Sequence, residues 1–323
     1  MTAPDGPGLP ACDAAVTAGP AGCGTRGSGM SDIYSISEAG DSDGPGGGAD
    51  PAADLRREKY LSDKLFKRLR RKVGQAIRDY GMIADGDRIV VCCSGGKDSW
   101  GMLDLLLSLR RSAPLDFELI PVHVDGGFPG VDTRCVEEHL QATGLEYHIL
   151  RKPVYRITED KLRAGDTRCS LCSRLRRGYL YAFARSIGAG KLALGHHKDD
   201  VVATLLLNLF FAGTLKAMPP VLRTDDDTLT VIRPLTYCRE RDLQALAASR
   251  HYRLLDNATC SSAEQQQRAA IREMMRQWER QYPKRIDIIY RGITNVVPSH
   301  LHDRRLFAFG SVTREAPIGF RSE

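Results

Sequence analysis

The chain has 323 residues, nine cysteines and a formal net charge of +6, enough length for one large or two modest cores without disulfide staples. No apolar run approaches the roughly 20 residues that a bilayer-spanning helix needs, and no secretory segment opens the sequence. A membrane-spanning or disulfide-held secreted protein is therefore not expected; a soluble, cytoplasmic protein in a reducing compartment is.

The charge is uneven. Residues 1–50 hold seven acidic side chains and one basic one, Arg26, which leaves 45 Lys and Arg against 33 Asp and Glu, a net +12, on the remainder. So basic a body fits a polyanionic partner, RNA above all, although ordinary solubility charge would look the same. Residues 1–54 are mostly Gly, Pro, Ser, Ala and Asp without apolar periodicity, so they are expected to form a disordered tail. Cys12 and Cys23 lie in it with no neighbouring ligands.

Over 55–84, Leu55, Leu61, Leu65, Leu69, Val73 and Ile77 recur at helical spacing among Lys64, Lys67, Arg68, Arg70, Arg71, Lys72 and Arg78. The pattern predicts a basic amphipathic helix or helix pair, with RNA contact or a solvated helix face as its two readings. Strands then alternate with helices: strand 88–93, helix 99–111, strand 117–124, helix 132–143 and strand 146–150. After an irregular stretch come helix 173–187, strand 191–195, helix 199–211 and strand 230–233. Such alternation predicts an α/β fold with a doubly wound parallel sheet, here with a helical N-terminal extension. Residues 218–227, opening on Met218-Pro219-Pro220, read as an exposed loop. The expected organisation is a tail (1–54), a basic helical segment (55–84), the α/β domain (85–260) and a C-terminal helical segment and tail (261–323).

Within this frame, Ser94-Gly95-Gly96-Lys97-Asp98-Ser99 follows the apolar run Ile89-Val90-Val91-Cys92-Cys93 and opens a helix. Small residues at a strand-to-helix turn let backbone N–H groups approach an anion, the helix end adds unpaired donors, and Lys97 adds a point charge. A phosphate site follows. A Walker A loop does not, because it requires glycine at position 91, where valine stands.

This hexapeptide resembles the signature of the PP-loop ATP pyrophosphatases, which cleave ATP between its α and β phosphates. Cys169-Ser170-Leu171-Cys172-Ser173-Arg174-Leu175-Arg176-Arg177-Gly178, Gly195-His196-His197-Lys198-Asp199-Asp200, Arg233-Pro234-Leu235 and Asn295-Val296-Val297-Pro298-Ser299-His300-Leu301 are similar to the TtcA-type tRNA 2-thiocytidine synthetases. The likeness runs from about Lys64 to Phe309. It implies replacement of the C2 oxygen of cytidine 32 in tRNA by sulfur, with ATP, Mg²⁺ and a 4Fe-4S cluster, a homodimeric enzyme, and a cysteine desulfurase as sulfur donor.

The residues can be read for that chemistry directly. An oxygen at C2 of cytosine leaves poorly, whereas an adenylate formed by its attack on the α-phosphate leaves easily; charge stabilisation and positioning carry most of such a step. Lys97 and the loop amides could hold pyrophosphate, while Asp98 and Asp200 could hold Mg²⁺; Asp200 could equally cap its helix. The ATP-binding set is Ser94, Gly95, Gly96, Lys97, Asp98 and Ser99 with Asp125, Gly195 and His196. Asp125, at the C-terminal edge of the sheet, suits adenosine contact or a turn before Gly126, and His196 and His197 suit either nucleotide orientation or packing.

Cys169 and Cys172 alone could be a redox dithiol or half a zinc site; the resemblance implies that with Cys260 they hold the 4Fe-4S cluster. Three thiolates would leave one iron open to bind hydrosulfide. The family commonly shows Pro-Cys-x-x-Cys downstream, whereas this chain has Asp256-Asn257-Ala258-Thr259-Cys260, so only the second cysteine is present. Cys92, Cys93, Cys135 and Cys238 read as core or incidental thiols. Arg174, Arg176 and Arg177 suit tRNA phosphates or a solvated helix face. The competing readings are another PP-loop modifier of the 2-thiouridine or lysidine type, and a non-catalytic iron-sulfur RNA-binding protein. Lysidine formation needs no sulfur, and the intact Lys97, Asp98, Ser99 and Asp200 speak against loss of catalysis.

Overall fold

The computed structural model describes residues 51–161, 168–255 and 263–312; side chains of residues 51, 168, 169 and 263–265 are outside the description. The expected tail up to residue 50 and the downstream Cys260 therefore lie outside the described residues, as does the side chain of Cys169.

Helix α1 (Pro51–Asp79) leads into β1 (Asp87–Cys92), α2 (Lys97–Arg110), β2 (Phe117–Asp125), α3 (Arg134–Ala142) and β3 (His148–Arg151). Next come α4 (Val154–Asp160), α5 (Arg168–Ser186), β4 (Lys191–Ala193) and α6 (Lys198–Ala212). Then β5 (Val221–Arg223), β6 (Thr230–Ile232), α7 (Glu240–Ser249), α8 (Ala263–Gln281) and α9 (Arg285–Ile293) complete the regular elements. The six-stranded sheet has the order β3-β2-β1-β4-β6-β5 and is parallel except where β5 pairs antiparallel with β6.

Period-two alternation sorts β1 between the two faces: Ile89 and Val91 join α1, α2, α3 and α7 in one cluster, while Val90 faces α5 in the other. Trp100, Leu103 and Leu106 of α2 are fully buried in the first cluster. Beyond the sheet, Ile271 and Met275 of α8 with Ile286 and Tyr290 of α9 pack on Val201, Val202 and Leu206 of α6. This third cluster fixes the C-terminal helices against the start of α6.

Four departures from the sequence expectation have physical reasons. Residues 221–223 pair with β6 instead of looping freely; this is an edge strand behind a Pro-Pro pair, where proline's missing donor costs nothing. Helix α5 starts at Arg168, so Cys169 and Cys172 lie in its first two turns rather than before it. Only the second half of α1 packs: Leu69, Val73 and Ala76 are fully buried whereas Leu55 and Leu61 are exposed. Helix α7 was not anticipated; its short, Ala-rich sequence shows a weak apolar face, of which Leu243 and Leu246 pack on α2.

Candidate active site

The strand order reverses between β2-β1 and β1-β4, so the crevice at the C-terminal ends of β1 and β4 is the topological switch point. Both glycine-bearing turns open there. Gly95 adopts φ +82°, and a β-carbon on it would stand 2.6 Å from Leu255 Cβ. Leu255 in turn donates its N–H to the Gly95 carbonyl at 2.9 Å. Across the crevice a β-carbon on Gly195 would stand 3.3 Å from the Asp98 carbonyl carbon and the Ser99 nitrogen, so glycine allows the two turns to touch. Gly96 caps α2 in an extended conformation. Ser99 Oγ donates to the Gly96 carbonyl at 2.8 Å and lies 3.3 Å from Ser94 Oγ, holding the loop closed beneath the unpaired N–H groups of the helix start.

Lys97 Nζ sits 3.0 Å from Asp98 Oδ2 and 3.1 Å from Glu240 Oε1. Burial works against its charge, but the two carboxylates outweigh it and raise its pKa. For Asp98 burial dominates and raises the pKa despite His197 and Lys97; its Oδ1 is buried with no hydrogen-bond partner. His197, 2% exposed, caps α6: its Nδ1 accepts the Asp200 N–H at 3.4 Å while Asp200 Oδ2 accepts the His197 N–H at 3.1 Å. With Nδ1 an acceptor, Nε2 carries the proton; it lies 3.4 Å from Asp200 Oδ2 and 3.9 Å from Asp98 Oδ2. Two carboxylates thus converge on one point, and Asp200 does cap its helix.

Asp200 Oδ1 also receives Arg272 Nη2 of α8 at 2.8 Å. Burial pushes the Asp200 pKa up, but His197, its N–H and Arg272 together bring it below the usual value. Its neighbour Asp199 faces the other way, accepting from the Glu240 N–H at 2.8 Å and from the buried Arg239, which also binds Glu279 at 3.1 Å and Asp287 at 3.0 Å.

A cavity of about 430 Å³ opens beside the loop, with Ser94, His123, Asp125, Cys172, Arg176 and His196 in its wall. It brings together the loop after β1, the end of β2, the turn after β4 and the Cys-x-x-Cys helix. Asp125 makes the turn: its Oδ1 accepts the Gly127 N–H at 3.0 Å and its Oδ2 the Thr133 hydroxyl at 3.4 Å. His123 Nδ1 donates to the Cys93 carbonyl at 2.7 Å, leaving its buried Nε2 as an unused acceptor, and burial lowers its pKa. Burial lowers His196 to about 4, so both imidazoles are neutral near pH 7. Arg176 lies over the Phe128 ring, 5.3 Å from its centroid. Burial raises the Cys93 and Cys238 thiols to about 12 and Cys92 well above its ordinary value; these are core thiols, in contrast to Cys172, half-buried in the cavity wall.

The structure therefore gathers Ser94, Gly95, Gly96, Lys97, Asp98, Ser99, Asp125, Gly195, His196, Asp200 and Cys172 at one crevice. Among the described residues no group of three or more His, Cys, Asp or Glu side chains is arranged to hold a metal, so the described part of the site offers a carboxylate pair and one thiol. Sequence reading missed His123, Arg239, Glu240 and Arg272. A histidine in an apolar strand and an arginine in a charged helix carry no local signal; the only hint for Arg272 is its placement one helical turn after Arg268.

Comparison with known proteins agrees with this architecture. The family described as "PP-loop domain" matches residues 65–278. A tRNA-cytidine(32) 2-sulfurtransferase of Teredinibacter turnerae is 50% identical over 270 residues, covering 83% of this chain and 89% of that protein. Its counterpart from Shewanella baltica is 51% identical over 261 residues, covering 81% and 84%. Among solved structures, the U34-tRNA thiolase NcsA from Methanococcus maripaludis with its 4Fe-4S cluster shares the fold, with a TM-score of 0.58 and 23% identity over 73% of this chain and 81% of that one. With a phosphate loop at the switch point of a parallel sheet and about half of the aligned residues shared with these relatives, the chain belongs to the PP-loop family, among the tRNA-cytidine(32) 2-sulfurtransferases.

Proposed function

We propose that this chain consumes ATP to adenylate the C2 oxygen of cytidine 32 in tRNA and then replaces that oxygen by sulfur drawn from a 4Fe-4S centre, yielding 2-thiocytidine, AMP and pyrophosphate. The observation that carries the reading is the shared cavity: Ser94 of the phosphate loop and Cys172 of the Cys-x-x-Cys helix stand in one wall, so the activated carbon and the sulfur source meet without transfer between sites.

The chain's own groups divide the work. Loop amides at the start of α2 and the Lys97 ammonium hold the β and γ phosphates and stabilise charge on the departing pyrophosphate. Asp98 and Asp200, converging on His197 Nε2, fit Mg²⁺: hard carboxylate oxygens, one of them buried without a partner. His197 Nε2–H keeps the pair oriented. Asp125, Gly195 and His196 contact adenosine; neutral His196, with a buried unpaired Nδ1, can hydrogen-bond a base without adding charge. Cys169, Cys172 and Cys260 supply thiolates to the cluster, and Cys172 in the cavity wall fits that task. When bound, the cluster supplies an open iron for hydrosulfide. The same fold holds a 4Fe-4S cluster in the M. maripaludis thiolase. Arg176 and Arg177, both lining the cavity, meet the phosphates of a tRNA whose target base has left its stack, which costs least in a loop. A homodimer and a cysteine desulfurase as donor complete the reading.

The test is an anaerobic preparation loaded with iron and sulfide, given tRNA, ATP and Mg²⁺. Wild type should release one pyrophosphate and one AMP per 2-thiocytidine found by nucleoside mass analysis. Cys172→Ala and Cys260→Ala should lose cluster absorbance and 2-thiocytidine while Lys97→Ala keeps the cluster and loses pyrophosphate release. Cluster binding without pyrophosphate release from wild type would indicate a non-catalytic iron-sulfur protein instead.

A further inference from the structure

Lys97 is the one cation the phosphate loop itself brings to a triphosphate, and it is already held by Asp98 and Glu240. With Asp200 also at the crevice, the local balance is acidic, an unfavourable setting for a substrate carrying several negative charges. Mg²⁺ repairs part of this. More positive charge must come from outside the loop, and one element stands ready to give it.

Helix α8 lies across the start of α6, anchored by Ile271 and Met275 in the third core cluster and by Glu279 bound to Arg239 at 3.1 Å. The turn of α8 between these anchors presents Arg272 to Asp200, with Nη2 to Oδ1 at 2.8 Å. Arg272 is half exposed, its side chain 50% accessible against 17% for Asp200, so it can leave its partner without being pulled from a packed core. It also lines a second cavity, of about 410 Å³, whose wall includes Lys97 and Glu240. One turn earlier, Arg268 lies near enough to His196 for its charge to act on the imidazole. Residues four apart share a helix face. The two arginines therefore overlook the same β4-to-α6 turn that bears His196 and Asp200.

We propose that Arg268 and Arg272 form a phosphate clamp, closing from α8 on the triphosphate of ATP, with Arg272 exchanging its bond to Asp200 for bonds to phosphate when substrate and Mg²⁺ arrive. The exchange follows from competition. A divalent cation at Asp200 takes the carboxylate oxygen that Arg272 now holds, and the released guanidinium stands beside the anion that the cation brings. Guanidinium geometry suits the task, since its planar fork matches two phosphate oxygens. The clamp rests on the proposed ATP chemistry and adds to it two residues that lie outside every motif of the sequence.

The test uses cluster-loaded full-length protein and α,β-methylene-ATP, which cannot be cleaved at the scissile bond. Its affinity with Mg²⁺ is measured by calorimetry for wild type, Arg268→Gln, Arg272→Gln and Arg280→Gln, with tRNA affinity and melting temperature recorded for each. Arg280 is the control: it is exposed and paired with Glu273 on the same helix. The clamp predicts analogue binding weakened roughly tenfold or more in each of the first two variants, unchanged in the control, with melting temperature and tRNA affinity kept. Equal analogue affinity in all four proteins overturns the clamp and leaves the proposed function standing. Loss of tRNA affinity with analogue affinity intact also overturns it, assigning these arginines to the RNA backbone. Failure of wild type itself to bind the analogue sinks the ATP chemistry, and the clamp with it.

Discussion

Replacing Gly95 by alanine tests the phosphate loop at its tightest point. The residue sits at φ +82°, where a β-carbon costs about 1–2 kcal/mol. That atom would also lie 2.6 Å from Leu255 Cβ and 3.1 Å from Val136 Cγ2. Leu255 cannot simply swing aside, because the close atom is its Cβ and its N–H is bonded to the Gly95 carbonyl; overpacking of this kind costs about 1–3 kcal/mol. A total near 3 kcal/mol converts to a melting temperature lowered by about 6–12 °C. Differential scanning fluorimetry of the anaerobic protein reads the shift. Because the adjustment moves Leu255, which leads directly into the segment bearing Cys260, the proposed cluster should load less iron as well. A variant that melts within about 2 °C of wild type and keeps its iron would refute the reading of Gly95 as a forced glycine.

Other perturbations follow from the same geometry. Arg239→Met removes the buried guanidinium that Asp199, Glu279 and Asp287 share and should cost about 3–5 kcal/mol in urea unfolding; a change under about 1 kcal/mol contradicts the network. His139 stacks on Trp100 at 4.1 Å, and burial lowers its pKa although nearby Asp104 opposes this. Its contribution to stability is complete above the unfolded value of about 6.5 and drains as pH falls through the lower folded value. His139→Phe, keeping the stack without the titration, should flatten the acid limb of a melting-temperature profile; an unaltered slope assigns the acid loss elsewhere. Asp199→Asn should lower stability by roughly 2–3 kcal/mol with catalysis measurable at low temperature. Asp200→Asn should abolish pyrophosphate release with the fold retained, and the opposite pattern would reverse the assignments made to the two.

The sheet was legible because its strands are short apolar runs between helical periods, and the phosphate loop because its chemistry needs contiguous small residues. What escaped is built by distance in sequence. The cation acting on Asp200 comes from residue 272, and the carboxylate holding Lys97 from residue 240; neither has a local pattern that separates it from surface charge. His123 was hidden by its strand, where the alternation marks only which face it occupies. Edge strand β5 was lost because Pro219-Pro220 signals a turn and the three residues after it have no period of their own.

Asp199 and Asp200 show what a sequence leaves undecided even when a motif is recognised. They are chemically identical neighbours at a helix start, and a one-residue step of about 100° around the axis sends them to different surroundings. Asp199 meets Arg239, whose side chain is 5% exposed and which also holds one carboxylate from α8 and one from α9. Such a bond is one side of a buried guanidinium shared by three carboxylates, so it belongs to the scaffold. Asp200 meets the buried His197 on one side and a half-exposed arginine on the other, and the second of these contacts is one that water or a cation can replace at small cost. The distinction between the scaffold carboxylate and the one proposed to hold Mg²⁺ thus lies in the accessibility of the partnering arginine, Arg239 at 40 residues from Asp199 and Arg272 of α8 at 72 residues from Asp200.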